Sequence, residues 1–173
     1  MVARLTLVIG GARCGKSRYA ESLITALPPP WIYAATGQGL DAEMAARIEA
    51  HRARRGAGWS TVEVPLDLAA VMTARGTAPV LVDCLTLWLS NLMMADRQIE
   101  QELDRLAQAL AKVAAPVVLV AIEVGSGIVP DNALARRFRD LQGALNQRIA
   151  ALADQVVLVV AGLPLFLKGP PTG

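Results

Sequence analysis

Short apolar runs alternate with helical stretches along the whole chain. The runs contain few polar residues, as in strands that a parallel sheet buries on both faces. Strands are predicted in this way at residues 5–9, 31–35, 61–64, 80–82, 117–122 and 155–160. Helices are predicted between them, at residues 18–23, 41–55, 66–74, 85–94, 98–113 and 132–151. The alternation predicts an α/β fold with a mostly parallel sheet covered by helices.

The predicted elements follow one another without a long linker or an internal repeat. The 173 residues are therefore expected to form a single domain, residues 1–173. After residue 160 the chain becomes rich in proline and glycine. This tail is expected to be frayed, with residues 155–160 as the last strand.

A phosphate-binding motif lies directly behind the first predicted strand. Residues 10–17 read GGARCGKS and match the pattern G-x-x-x-x-G-K-S. In such a loop, backbone N–H groups surround phosphate oxygens, and the following helix start adds its positive end. Lys16 is expected to reach the β- and γ-phosphates, and the Ser17 hydroxyl to bind Mg²⁺. The alternative, a glycine-rich hairpin, leaves Lys16 unexplained.

The composition narrows the classes of function. Hydrophobic residues make up 54% of the chain and charged residues 18%, which indicates a large core and excludes intrinsic disorder. The net charge of +2 is too small to indicate nucleic-acid binding. Arginines cluster at 52–55 and 136–139 and could hold phosphates or form solvated helix faces.

Cysteines and membrane signals point to the cytoplasm. Cys14 and Cys84 are too few for a disulfide framework and lack metal-site spacing, so they are interpreted as packing residues in a reducing compartment. No signal peptide is expected. Residues 78–95 resemble a membrane span, with Asp83 as their only charge. Asp83 divides them into a strand and a helix, which a buried α/β core explains without a membrane.

Two carboxylates end predicted strands. Asp83 follows residues 80–82, where a phosphate-loop enzyme places the outer partner of its Mg²⁺ ion. It could instead, or in addition, cap the next helix. Glu123 follows residues 117–122 and should share a cleft with the phosphate loop, because ligands bind beyond the carboxyl ends of parallel strands. It could act on a substrate hydroxyl or on water, or it could only tie down the glycine turn after it.

His51 is the only histidine of the chain. Spacing by four places it between Arg47 and Arg55 on one stripe of the predicted helix. The two positive charges disfavour the imidazolium form and favour the neutral, nucleophilic one. They could also hold a polyphosphate beside it, although a lone histidine on a helix is more often a surface residue.

Segments spread over nearly the whole chain resemble one enzyme family, that of adenosylcobinamide kinase / adenosylcobinamide-phosphate guanylyltransferase in cobalamin synthesis. The matching segments are residues 10–21, 43–48, His51, Trp59, 82–86, Trp88, Asn91, 123–130, 136–140 and 146–147. They occur in the family's order and are together far more specific than the phosphate loop alone.

The resemblance implies a bifunctional enzyme. One activity phosphorylates the aminopropanol hydroxyl of adenosylcobinamide with ATP or GTP. The other transfers GMP from GTP to adenosylcobinamide phosphate, releasing pyrophosphate and forming adenosylcobinamide-GDP. In the family a histidine on the helix after the second strand becomes guanylylated, and His51 matches it. The implied nucleotide contacts are Gly10, Gly11, Ala12, Arg13, Cys14, Gly15, Lys16, Ser17, Ala35, Thr36, Gly37, Arg52, Ala53, Arg54, Arg55, Glu63 and Asp83.

With the phosphate loop, the resemblance implies a P-loop NTPase-type α/β fold, a RecA-like three-layer sandwich, with Mg²⁺ at Ser17 and Asp83. It also implies a cytoplasmic homo-oligomer, such as a trimer. Two residues depart from the family pattern. Cys14 stands where serine is usual, and Ile122 where a polar residue is expected, which brings the efficiency of the kinase step into question. Two alternatives stay open: a small-molecule kinase without a covalent step, and a nucleotide-driven switch or assembly ATPase.

Overall fold

A computed structural model describes residues 2–39, 42, 45–46, 49, 53 and 55–170. The strands are β1 (Leu5–Gly10), β2 (Trp31–Ala35), β3 (Trp59–Glu63), β4 (Val80–Asp83), β5 (Val117–Ile122), β6 (Gln155–Val160) and β7 (Leu163–Lys168). The helices with defined bounds are α1 (Lys16–Thr25), α2 (Leu68–Ala74), α3 (Leu85–Met94), α4 (Ile99–Ala111) and α5 (Ala133–Leu152).

The strands form one seven-stranded sheet in the order β3-β2-β4-β5-β1-β6-β7. Strands β1 to β6 pair in parallel, and β7 is antiparallel to β6. The predicted α/β fold with a mostly parallel sheet is thereby confirmed. One boundary differs clearly, since β3 begins at Trp59 rather than at residue 61.

The sheet buries apolar side chains on both faces. Along β5, Val118 and Val120 belong to one core cluster, while Val117, Leu119 and Ala121 belong to the other. The first cluster contains the apolar face of α1, and the second contains those of α2, α3, α4 and α5. Helices therefore cover both faces of the sheet, which makes the three layers of a sandwich.

The predicted helix at 41–55 falls mostly outside the described residues. Within it, Ala42, Ala45, Ala46, Glu49 and Ala53 are helical and exposed. Among the described residues, no helix is long and apolar enough to cross a membrane.

The prediction for the tail is wrong. Residues 163–168 form β7, which turns back through Ala161 and Gly162 and pairs with β6 along the edge of the sheet. Ala161 has φ +52° and Gly162 has φ +79°, the two left-handed residues of a tight hairpin turn. Pro164 suggested a loop, but proline is tolerated in a strand at a sheet edge.

The turn offers a test of this hairpin. Alanine pays a steric cost at φ +52°, whereas asparagine tolerates the left-handed region and precedes glycine in the favoured hairpin turn. We expect Ala161→Asn to raise the free energy of unfolding by about 0.5–1 kcal/mol in urea denaturation. Ala161→Val is the matched control, and its β-branched side chain should lower stability by about 1 kcal/mol or more. Equal stability of all three proteins would contradict the turn.

Candidate functional site

The phosphate loop joins the end of β1 to the start of α1. Arg13 has φ +55° and Gly15 has φ +96°, so the loop passes twice through the left-handed region, and the second passage favours glycine. Lys16 is buried, and its Nζ donates to the carbonyl of Gly11 at 3.0 Å. The lysine is thus held across the concave side of the loop where phosphates are expected.

The hairpin of β6 and β7 supports the loop from behind. The N–H of Gly162 donates to the carbonyl of Cys14 at 2.8 Å. A Cβ at Gly10 would lie 2.5 Å from the carbonyl oxygen of Val159 and 2.6 Å from the Cys14 Sγ. Any larger residue at position 10 would therefore displace the loop from β6.

A cavity of about 620 Å³ opens beside the loop, at the carboxyl ends of β2, β3 and β4. Such crevices are where open α/β sheets bind their ligands. The cavity brings together seven residues predicted from the sequence: Lys16, Ser17, Ala35, Gly37, Arg55, Glu63 and Asp83. The other loop residues surround Lys16, with Gly11, Ala12, Arg13 and Gly15 exposed and Cys14 half-buried.

Tyr33 and Thr61 line the same cavity and were not predicted. Tyr33 is buried, and its hydroxyl donates to Asp83 Oδ2 at 3.0 Å. The guanidinium carbon of Arg55 lies 3.6 Å from the centre of the Tyr33 ring. Burial and the Asp83 charge raise the pKa of Tyr33 well above its usual range, so that its hydroxyl stays a donor. Asp83 is therefore linked through Tyr33 to Arg55.

Thr36 ties the loop after β2 to the loop after β4. Its Oγ1 donates to the carbonyl of Cys84 at 2.7 Å and accepts from the Cys84 N–H at 2.8 Å. Asn91 of α3 donates to the Thr36 carbonyl at 2.7 Å and to the Pro65 carbonyl at 3.0 Å. The Thr36 side chain is fully buried, so the structure gives it a supporting role. Its contact with a nucleotide stays a prediction.

The end of β5 is held in a similar way. The N–H of Ile122 donates to Thr86 Oγ1 at 2.8 Å, and its carbonyl accepts from Asn146 Nδ2 at 3.3 Å. Glu123 accepts a hydrogen bond from the Gly125 N–H, and its own N–H donates to the Gly10 carbonyl. These contacts support the structural alternative for Glu123, the tying down of its glycine turn. Ile122, rather than Glu123, lines the cavity.

Three predicted site residues, His51, Arg52 and Arg54, lie outside the described residues, as does Arg47. Ala53, which lies among them in sequence, is helical and exposed. Arg55, at the end of this segment, is half-buried and lines the cavity.

The two cysteines differ in their surroundings. Burial, with a smaller effect of Asp83, raises the pKa of the Cys84 thiol to about 11. Cys84 is therefore protonated at neutral pH and serves packing, as predicted. Cys14 is half-buried within the phosphate loop.

Comparison with known proteins identifies the family. The family model described as "Cobinamide kinase / cobinamide phosphate guanyltransferase" matches residues 6–167. The chain belongs to this family. It is 46% identical to the bifunctional adenosylcobalamin biosynthesis protein CobP of Pseudomonas aeruginosa, over 95% of this chain and 98% of that protein. It is 45% identical to the protein CobU of Salmonella typhimurium, over 95% of this chain and 99% of that protein.

Solved structures resemble this member of the cobinamide kinase / guanyltransferase family in fold alone. The flagellar accessory protein FlaH of Methanocaldococcus jannaschii has a TM-score of 0.54 and 11% identity, over 96% of this chain and 78% of that chain. An ATPase of the type III secretion system of pathogenic bacteria has a TM-score of 0.59 and 10% identity, over 95% of this chain and 57% of that chain. The predicted three-layer α/β fold is thereby confirmed. The predicted cobinamide kinase and guanylyltransferase family is confirmed as well.

The Thr36 hydroxyl should be required for stability. Thr36→Val removes the partner of the buried Cys84 N–H, while the Cys84 carbonyl keeps its hydrogen bond from the Trp88 N–H. We expect a loss of about 2 kcal/mol in urea denaturation, because a buried donor is left unsatisfied. Thr36→Ser is the matched control, because it keeps the hydroxyl and should lose only about 1 kcal/mol with its methyl group. A Thr36→Val protein as stable as the wild type would contradict this role.

Proposed function

We propose that this chain carries out both reactions of its family in the cleft beside the phosphate loop. It phosphorylates the aminopropanol hydroxyl of adenosylcobinamide with ATP or GTP, and it then transfers GMP from GTP through a guanylylated His51. One observation carries this proposal: Lys16, Ser17, Asp83 and Arg55 line a single cavity, in a chain whose family unites a kinase and a guanyltransferase.

The kinase step uses the phosphate loop directly. The substrate hydroxyl oxygen attacks the γ-phosphorus, the bond to the β,γ-bridging oxygen breaks, and the nucleoside diphosphate leaves with the charge of that oxygen. Lys16 and the backbone N–H groups of the loop stabilise this charge as it develops. The hydroxyl proton is released as the new phosphate ester forms.

The guanylyltransferase step is two displacements at one phosphorus. A His51 nitrogen attacks the α-phosphorus of GTP, the α,β-bridging bond breaks, and pyrophosphate leaves into the loop. A phosphate oxygen of adenosylcobinamide phosphate then attacks the same phosphorus, and the bond to His51 breaks. Arg55 lines the cavity and, with its sequence neighbours Arg52 and Arg54, supplies positive charge for the nucleotide phosphates.

The donor groups of the cavity fit Mg²⁺. The Ser17 hydroxyl and the Asp83 carboxylate line it together, and both offer the oxygen ligands that Mg²⁺ prefers besides phosphates and water. Bound there, the ion would neutralise charge on the phosphate oxygens. Asp83, which accepts a hydrogen bond from Tyr33, and Ser17, in the first turn of α1, are the residues that would hold it.

Labelling separates the covalent mechanism from its alternatives. With GTP labelled at the α-phosphate, we expect acid-labile, alkali-stable label on the wild type and none on His51→Ala, because the chain has no other histidine. His51→Ala should keep its kinase activity. Lys16→Ala should lower both activities about 100-fold, because both leaving groups use the loop.

Other outcomes would assign another function. Kinase activity without label on the wild type would leave a small-molecule kinase without a covalent step. Nucleotide hydrolysis that responds only to a protein partner would favour a switch or assembly ATPase. Loss of the kinase activity in a folded His51→Ala protein would contradict the separation of the two steps.

We also propose that the chain is one catalytic domain over residues 1–173 and acts in the cytoplasm as a homo-oligomer such as a trimer. The edge strand β7 supports association. Its Leu163, Leu165 and Leu167 alternate along the strand and are 71%, 56% and 54% exposed. An exposed apolar edge of this kind is usually covered in a native protein.

Sedimentation tests the association. We expect the wild type to sediment as an oligomer and Leu165→Glu to shift it towards the monomer, because a charge would be buried at the contact. Met94→Glu is the control, because Met94 is an exposed apolar residue at the end of α3, and it should leave the mass unchanged. A monomeric wild type, or equal effects of both substitutions, would contradict β7 as the contact.

A further inference from the structure

We infer that Tyr33 is a positioning residue for the nucleotide site, which acts by orienting the Asp83 carboxylate towards the bound cation. This inference rests on the proposed function, because it takes Asp83 as a ligand of Mg²⁺. It assigns a role in that site to a residue from the middle of β2.

The sheet register brings Tyr33 and Asp83 together. Tyr33 pairs with Leu81 on the neighbouring strand, so Asp83 is the next residue of β4 on the same face. The tyrosine side chain spans this diagonal, and its hydroxyl reaches Asp83 Oδ2 at 3.0 Å. A shorter residue at position 33 could not make this contact.

The position of the Tyr33 hydroxyl oxygen is fixed because its ring is held by neighbouring side chains. The Trp59 ring contacts the Tyr33 ring edge-on, with centroids 6.0 Å apart, and Arg55 lies over it at 3.6 Å. Tyr33 itself is only 5% exposed. A ring held on these sides keeps the hydroxyl oxygen within hydrogen-bond distance of Asp83, and the low exposure of Tyr33 leaves this oxygen few other partners.

This arrangement resembles the outer partners that orient metal ligands in proteins. A tyrosine donating to one carboxylate oxygen limits rotation of the carboxylate and so sets the direction in which its oxygen lone pairs point. Lys16 and Ser17 line the same cavity, so the orientation matters where the phosphates are expected. Tyr33 would therefore affect cation binding through the orientation of the Asp83 carboxylate.

Binding of a fluorescent GDP analogue in a Mg²⁺ titration tests this role. Tyr33→Phe keeps the ring but loses the hydroxyl, and we expect the half-saturating Mg²⁺ concentration to rise about tenfold. Affinity for the analogue in EDTA should stay as in the wild type. The chain has two tyrosines, and Tyr19→Phe is the matched control with an unchanged titration. An unshifted Tyr33→Phe titration, or an equal shift in Tyr19→Phe, would overturn the inference.

A double-mutant cycle shows whether Tyr33 acts through Asp83. In an Asp83→Ala background, Tyr33→Phe should change the half-saturating Mg²⁺ concentration by less than about twofold. A further tenfold rise in that background would mean that Tyr33 acts by another route, and would overturn the inference.

A measurement with Tyr33 in place does not depend on how Tyr33→Phe folds. In Tyr19→Phe protein labelled with 3-fluorotyrosine, Tyr33 gives a single ¹⁹F resonance. With GDP bound, Mg²⁺ should shift this resonance, because its hydrogen-bond acceptor becomes a metal ligand. The response should vanish in Asp83→Ala. A resonance indifferent to Mg²⁺ would overturn the inference.

The wild type distinguishes the inference from the proposal beneath it. If the wild type fails to bind the GDP analogue, or binds it without regard to Mg²⁺, the proposed function fails and the inference fails with it. If binding of the analogue by the wild type depends on Mg²⁺, and binding by Tyr33→Phe has the same dependence, the inference alone fails.

Discussion

Four hydrogen bonds meet at Thr36, and the shape of the cleft depends on them. The Thr36 N–H donates to the Asp83 carbonyl, its hydroxyl bonds both backbone groups of Cys84, and its carbonyl accepts from Asn91. Buried polar groups of a loop must find partners, and this one residue supplies them for two loops and a helix. The backbone at Asp83 and Cys84 is therefore hydrogen-bonded to the residue that follows β2, which fixes the position from which the Asp83 carboxylate extends.

The same principle explains several residues that carry the family resemblance. Asn91, Thr86 and Asn146 all donate to, or accept from, backbone groups where strands end at the cleft. The Trp88 indole N–H likewise donates to the carbonyl of Leu66. These side chains make a rigid edge to the sheet, so the groups that face the phosphates need little reorganisation when charge develops there.

The fold was predictable wherever its signal was local. The continuous apolar runs of β1, β4 and β5 gave nearly correct bounds, because strands buried on both faces need no polar alternation. The strand β7 was missed because Pro164 and the nearby glycines resemble a loop. Its alternating leucines make sense only at a sheet edge beside β6, a position that depends on the whole strand order.

The same distinction, between local signals and signals that depend on strand order, applies to the residues of the candidate site. Lys16, Ser17 and Asp83 follow from a loop motif and a strand end, whereas the importance of His51 rested on the resemblance. Tyr33 carried no signal of its own, because its link to Asp83 exists only when β2 lies beside β4. A motif thus identifies the groups that meet the substrate, while the residues that orient them depend on strand neighbours. Residues that orient the motif residues are therefore found by examining the neighbouring strands of the sheet, at positions on the same face as the motif residue.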